Sequence, residues 1–105
     1  MRSGEIDIIA IDPRGDSRDY NIKESASVIF CEVKYRKSEE HGLPEQAVNR
    51  NKQRIISRVS DHFRAKNGLS EELAYRFDVL AVTEIQGRGS KVRWIRNAFP
   101  YVPGR

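Results

Sequence analysis

The sequence predicts a single α/β domain, a mixed sheet carrying one long helix, on three observations. A β-rich run occupies residues 5–11, a second and stronger one residues 28–35, and apolar residues recur with a helical period over residues 50–66. At 105 residues the chain, read as one domain over 1–105, has room for one such core and one site.

The first strand is Glu5-Ile6-Asp7-Ile8-Ile9-Ala10-Ile11, stopped by the turn signal Asp12-Pro13-Arg14-Gly15. Residues 12–27 are polar and rich in Asp, Ser and Arg, and read as a loop or ragged hairpin tip. Val28 to Tyr35 is the clearest strand because of its β-branched and aromatic content, and it is expected to pair antiparallel with the first. The helix is bounded by Asn49 as N-cap and by Asn67-Gly68 as its stop, with Ile55, Val59 and Phe63 expected on its sheet-facing side. Tyr75 to Ile85 reads as a third strand and Lys91 to Arg96 as a fourth, joined through the turn Gln86-Gly87-Arg88-Gly89. The tail from Pro100 to Gly104 is expected to be extended and mobile.

Composition narrows the function classes. No apolar run approaches bilayer-spanning length, so no membrane partner is expected, and the N-terminus resembles neither a secretory signal nor a transit peptide, which makes the cytoplasm the default location. The single cysteine, Cys31, has no internal disulfide partner, and His41 and His62 stand too far apart for zinc spacing. Cys31 therefore reads as a small core residue. The net charge of +4 is uneven: residues 50–66 carry +5, residues 86–105 hold five basic residues and no acid, and the remainder is acidic. Two basic blocks on an acidic body suit a polyanion such as nucleic acid; solvated surface is the bland alternative.

Alternation along the second strand puts Val28, Phe30, Glu32 and Lys34 on one face. Either charge would be costly to bury unpaired, so the choice lies between a salt bridge at a solvated strand end and a functional pair. Asp7, within Ile6, Ile8 and Ile9, would converge with them from the neighbouring strand; its competing role is a turn or cap acid. Two such carboxylates suit Mg²⁺ or Mn²⁺, and a lysine beside them suits phosphodiester hydrolysis. Lys52 falls on the inward helix face and is a candidate second phosphate contact, with snorkelling to solvent as its alternative. Arg50, Arg54 and Arg58 follow i, i+4, i+8 spacing and form a row suited to successive phosphates or to plain solvent.

Gly4-Glu5-Ile6-Asp7-Ile8-Ile9-Ala10, Phe30-Cys31-Glu32-Val33-Lys34-Tyr35-Arg36, Pro44-Glu45-Gln46-Ala47-Val48, Lys52-Gln53, Arg76-Phe77-Asp78-Val79-Leu80-Ala81-Val82 and Val92-Arg93-Trp94-Ile95-Arg96-Asn97-Ala98-Phe99 together resemble the YraN family. Its members are mostly uncharacterised bacterial proteins similar in fold to Holliday junction resolvases of the PD-(D/E)XK nuclease superfamily. The resemblance covers nearly the whole chain. It implies a restriction-endonuclease-like (PD-(D/E)XK) core, a mixed central sheet flanked by helices. Asp7 and Glu32 would be metal ligands with the carbonyl of Val33 as a further one, Lys34 the catalytic lysine, and Lys52 and Gln53 their neighbours. Family members usually carry a helix ahead of the Gly-Glu-Ile-Asp motif, often with a glutamate that completes the metal site. This chain starts almost at the motif, so that N-terminal helix is expected to be missing, with self-association a way to cover the sheet. The implied activity is a divalent-metal-dependent endonuclease on DNA, including branched or junction DNA, and the implied assembly a homodimer. The alternatives are a nucleic-acid-binding module of the same fold that does not cleave, and an assembly partner for an acidic protein.

Overall fold

The computed structural model describes residues 6–12, 26–37 and 48–104. They form a mixed α/β arrangement of four strands and one helix: β1 (Ile8–Asp12), β2 (Ser27–Arg36), α1 (Arg50–Lys66), β3 (Ala74–Ile85) and β4 (Gly89–Phe99). The sheet order follows the chain, β1-β2-β3-β4. β1 and β2 are antiparallel, as expected from sequence, with Ile8 opposite Cys31. β2 and β3 are parallel, with Phe30 opposite Phe77 and Glu32 opposite Val79, and α1 is the crossover between them. β3 and β4 form an antiparallel pair joined by a turn in which Gly87 and Gly89 take positive φ, 73° and 93°.

The core lies between α1 and the face of the sheet that carries Val28, Phe30, Phe77 and Val79, all at most 2% exposed. Phe30 meets Phe63 of α1 edge-on at 5.9 Å, and Phe77 stacks on Phe99 at 5.2 Å. Cys31, on the other face, is buried as expected.

Both helix ends match their sequence signals. The Asn49 side chain accepts from the Lys52 N–H at 2.9 Å. At the other end Gly68 (φ 60°) donates to the Ala65 carbonyl and Leu69 to that of Arg64, the paired bonds of a Schellman stop.

Three expectations need correction. The first strand begins at Ile8 rather than Glu5, and Asp7 sits in the bend leading into it. The buried stripe of α1 is Ile56, Ser57 and Ser60; Ile55 and Val59 are only half-buried, and Phe63 alone of the expected trio packs on the core cluster. The tail explains the rotation. Val102 is 2% exposed and its N–H donates to Ser57 Oγ at 3.0 Å, while Ser57 donates to the Gln53 carbonyl and Ser60 to the Ser57 carbonyl. Small hydroxyl side chains let the tail backbone approach the helix closely and satisfy it once there. The tail is thus extended, as expected, but docked. The loop reading of residues 13–25, and the Gly4-Glu5 and Pro44–Ala47 parts of the motif set, lie outside the described residues.

Candidate active site

β2 runs past the end of β1, whose pairing stops at Ile8 opposite Cys31, so the edge of β2 beyond Cys31 has no strand beside it among the described residues. Asp7 occupies that gap. Its Oδ2 accepts from the Val33 N–H at 2.9 Å, a side chain standing where a ladder partner would have been. The N–H and C=O of one strand residue emerge on the same edge, so the Val33 carbonyl opens onto the Asp7 side as well.

Alternation places Glu32 on the α1 face, 6% exposed. Its Oε1 lies 3.6 Å from Lys52 Nζ and 3.9 Å from Lys34 Nζ, ion-pair rather than hydrogen-bond distances. Both lysine side chains are about one-third exposed, at 35% and 30%. The Glu32 carboxyl is held above the ordinary carboxylate value, first by burial and then by the charge of Asp7. Lys52 and Lys34 pull it down less than burial and Asp7 push it up, and a side-chain hydrogen bond with Asp7 raises it further. Asp7 and Glu32 are therefore near neighbours, each negative when ionised, and the two ammonium groups beside Glu32 do not outweigh burial and that neighbour.

The structure thus brings Asp7, Glu32, Val33, Lys34 and Lys52 to one point, where the first turn of α1 meets the middle of β2. Lys52 gets there because it lies one turn before the buried Ile56, on the same helix face. Gln53 does not join them through its amide group, whose Nε2 donates to the Val48 carbonyl at 2.9 Å and so anchors the chain entering α1. The arginine row is uneven. Arg50 and Arg58 are exposed, whereas Arg54 is half-buried, with its Nε shielded and without a hydrogen-bond partner among the described residues.

A hard divalent cation fits this donor set. Asp7, Glu32 and the Val33 carbonyl offer oxygen only, and the raised carboxyl of Glu32 marks a point where added positive charge would relieve strain. Among the described residues no group of three or more His, Cys, Asp or Glu that could hold a metal ion is found, so the donor set there is these two carboxylates and one carbonyl.

Sequence reasoning missed a second buried polar group. On the opposite face Asp78, 0% exposed, accepts from Arg76 Nε (3.0 and 3.3 Å), Trp94 Nε1 (2.8 Å) and the Asn97 N–H (2.9 Å). Arg76 also reaches Asp12 at 3.4 Å. The available signal was Arg76-x-Asp78 inside an apolar strand, the same alternation that marked Glu32-x-Lys34.

Residues 1–82 match a family described as "Uncharacterised protein family UPF0102". Among curated relatives, each called a UPF0102 protein, one from Caldicellulosiruptor bescii is 39% identical over 100 residues, spanning 93% of this chain and 73% of its own length. One from Alkaliphilus metalliredigens is 40% identical over 96 residues (91% and 71%), and one from Aliivibrio salmonicida 39% over 98 residues (92% and 68%). No solved structure matches the chain. Among the described residues no helix is long and apolar enough to cross a membrane.

Proposed function

The chain belongs to the uncharacterised protein family UPF0102, and we propose that it is a divalent-metal-dependent phosphodiesterase of the PD-(D/E)XK type, acting as an endonuclease on DNA. The observation that carries this reading is the closeness of two carboxylates, Asp7 and Glu32, under two lysines at the edge of β2. Asp7, Glu32 and the Val33 carbonyl would hold Mg²⁺ or Mn²⁺, which when bound supplies a water of lowered pKa and polarises a phosphate oxygen.

The chain's own residues do the rest. The Val33 N–H fixes the Asp7 carboxylate in one orientation, so its second oxygen is presented without rotamer searching. Lys34 and Lys52, tethered to Glu32 but still reaching solvent, are placed to neutralise the phosphate as it arrives and the charge that develops on it. Burial of Glu32 on the α1 face keeps bulk water from screening these charges.

A second reading, a nucleic-acid-binding module that does not cleave, draws on the two ammonium groups already beside Glu32, where a cation would otherwise sit. One assay separates the two: incubation with linear, single-stranded, flapped and four-way DNA in Mg²⁺, Mn²⁺ or EDTA. Metal-dependent cleavage lost in Glu32→Gln and Asp7→Asn supports the enzyme. Binding without cleavage under every condition supports the module.

A further inference from the structure

Trp94 is a large aromatic side chain left 45% exposed, yet it is not loose. Its indole N–H donates at 2.8 Å to Asp78, which is fully buried and held in turn by Arg76 and the Asn97 backbone. The Arg96 guanidinium lies 4.2 Å above the ring and that of Arg76 stands 6.0 Å away. Val92, two residues earlier on the same face, is 63% exposed. A flat ring, fixed by a buried carboxylate and roofed by a guanidinium, costs little to order and offers stacking surface for another flat group.

The surroundings decide which flat group. Residues 86–105 carry five basic side chains and no acid. β4 is the sheet edge among the described residues, and it divides its cations between the two faces. Trp94 and Arg96 share the face of Leu80 and Asp78, whereas Lys91 and Arg93 lie on the α1 face. Arg93 stands in the same cross-strand row as Lys34, with Ala81 between them, two strand spacings or about 10 Å away. A polyanionic chain leaving the carboxylates can follow Lys34 to Arg93, turn round the β4 edge and arrive at Trp94. Bases inside a duplex show a protein only their edges; a ring platform takes bases that are unpaired.

We propose that the Trp94–Arg96 platform on β4 stacks unpaired nucleobases, so that the substrate is a polynucleotide with a single-stranded segment. This rests on the phosphodiesterase reading of the Asp7–Glu32 site and names its substrate class.

Trp94 is the single tryptophan of the chain, so its fluorescence reports on this surface alone. The test is a titration of the full chain in EDTA with an oligothymidine and with a blunt duplex of equal length. Trp94 emission and the anisotropy of labelled DNA are both recorded. Single-strand binding is expected to quench Trp94 and duplex binding to leave it nearly unchanged. Arg96→Ala, which removes no hydrogen bond from Asp78, is expected to weaken single-strand binding about tenfold, in the range of one lost stacking contact. Duplex binding should fall by no more than about threefold, as for one lost phosphate neighbour. Equal quenching by duplex, binding with no Trp94 response, or an emission change driven by protein concentration alone would each overturn the platform, the last in favour of a second copy on this face. Cleavage without a Trp94 response defeats only the platform, and a Trp94 response without cleavage in Mg²⁺ or Mn²⁺ defeats only the proposed activity.

Discussion

Glu32 and Asp78 occupy adjacent central strands, both nearly inaccessible to solvent at 6% and 0%, and they face opposite sides of the sheet. Asp78 has both oxygens filled: Arg76 and the Asn97 N–H on one, Trp94 and Arg76 on the other, none farther than 3.3 Å. Glu32 has two ammonium groups at 3.6 and 3.9 Å and a second carboxylate beside it. Burial is therefore not what distinguishes the two acids; their neighbours are. A saturated carboxylate ties strands together; one that has a second acid beside it and, among the described residues, only ammonium groups beyond hydrogen-bond distance would have capacity for a cation under the proposed function.

The largest expected effect tests the structural half. Asp78→Ala leaves Arg76 buried without its main partner and frees the Asn97 N–H that holds β4 in register, so it should lose about 3–5 kcal/mol in urea denaturation. Glu32→Gln should change stability by less than about 1 kcal/mol or raise it, because Lys34 and Lys52 reach solvent and can rehydrate. The pH dependence has a definite sign. The Glu32 carboxyl is raised in the fold, so the folded state holds its proton longer than the unfolded one. Stability linked to Glu32 is then greatest below the unfolded value of about 4.5 and falls as pH rises through the folded value. The gain in Glu32→Gln should appear near neutral pH and vanish in acid. A loss as large as that of Asp78→Ala would break the comparison.

Next in size is the division of labour between the lysines. Lys34→Ala should lower the cleavage rate by about 10²–10³, the usual effect of removing one electrostatic group from a reacting centre. Lys52 lowers the Glu32 carboxyl more than Lys34 does. The acid limb of the pH–rate profile should therefore move further upward in Lys52→Ala than in Lys34→Ala, and equal shifts would show that the helix does not tune the site.

The legibility of the molecule follows the same division. The β2 strand, the Glu32-x-Lys34 pair and both helix caps were readable because each depends on local pattern, alternation or capping residues, whereas Asp7 was placed near Glu32 only through the expected antiparallel pairing of the first two strands. The Asp78 network was not readable, since it closes through Trp94 and through Asn97, whose φ of 50° belongs to the β4 irregularity opposite Phe77 and Val79. No local pattern announces that. The expected helix face of Ile55, Val59 and Phe63 left out the buried Ser57, whose hydroxyl accepts from Val102 in a tail more than forty residues later. The same distance hid the docking of Val102.

Smaller effects sharpen these points. Ser57→Ala leaves the buried Val102 N–H without its acceptor and should cost about 1–3 kcal/mol, with the tail becoming sensitive to carboxypeptidase. Cys31, on the Asp78 side, has its thiol pushed up to about 11, chiefly by burial and then by Asp78. At pH 8 only about one thiol in a thousand is ionised, so a thiol-disulfide reagent should react slowly until the protein unfolds. Thiol-linked stability should fall as pH rises from 9.0 towards 11.

The comparison rests most directly on cation capacity, which calorimetric titration of Mn²⁺ measures on the intact chain without any substrate. The expected result is one Mn²⁺ per chain for the wild type, abolished in Asp7→Asn and Glu32→Gln while circular dichroism shows both variants folded. Undiminished Mn²⁺ binding in Glu32→Gln, or none in the wild type at millimolar Mn²⁺, would contradict the assignment of Asp7 and Glu32 as a metal-holding pair.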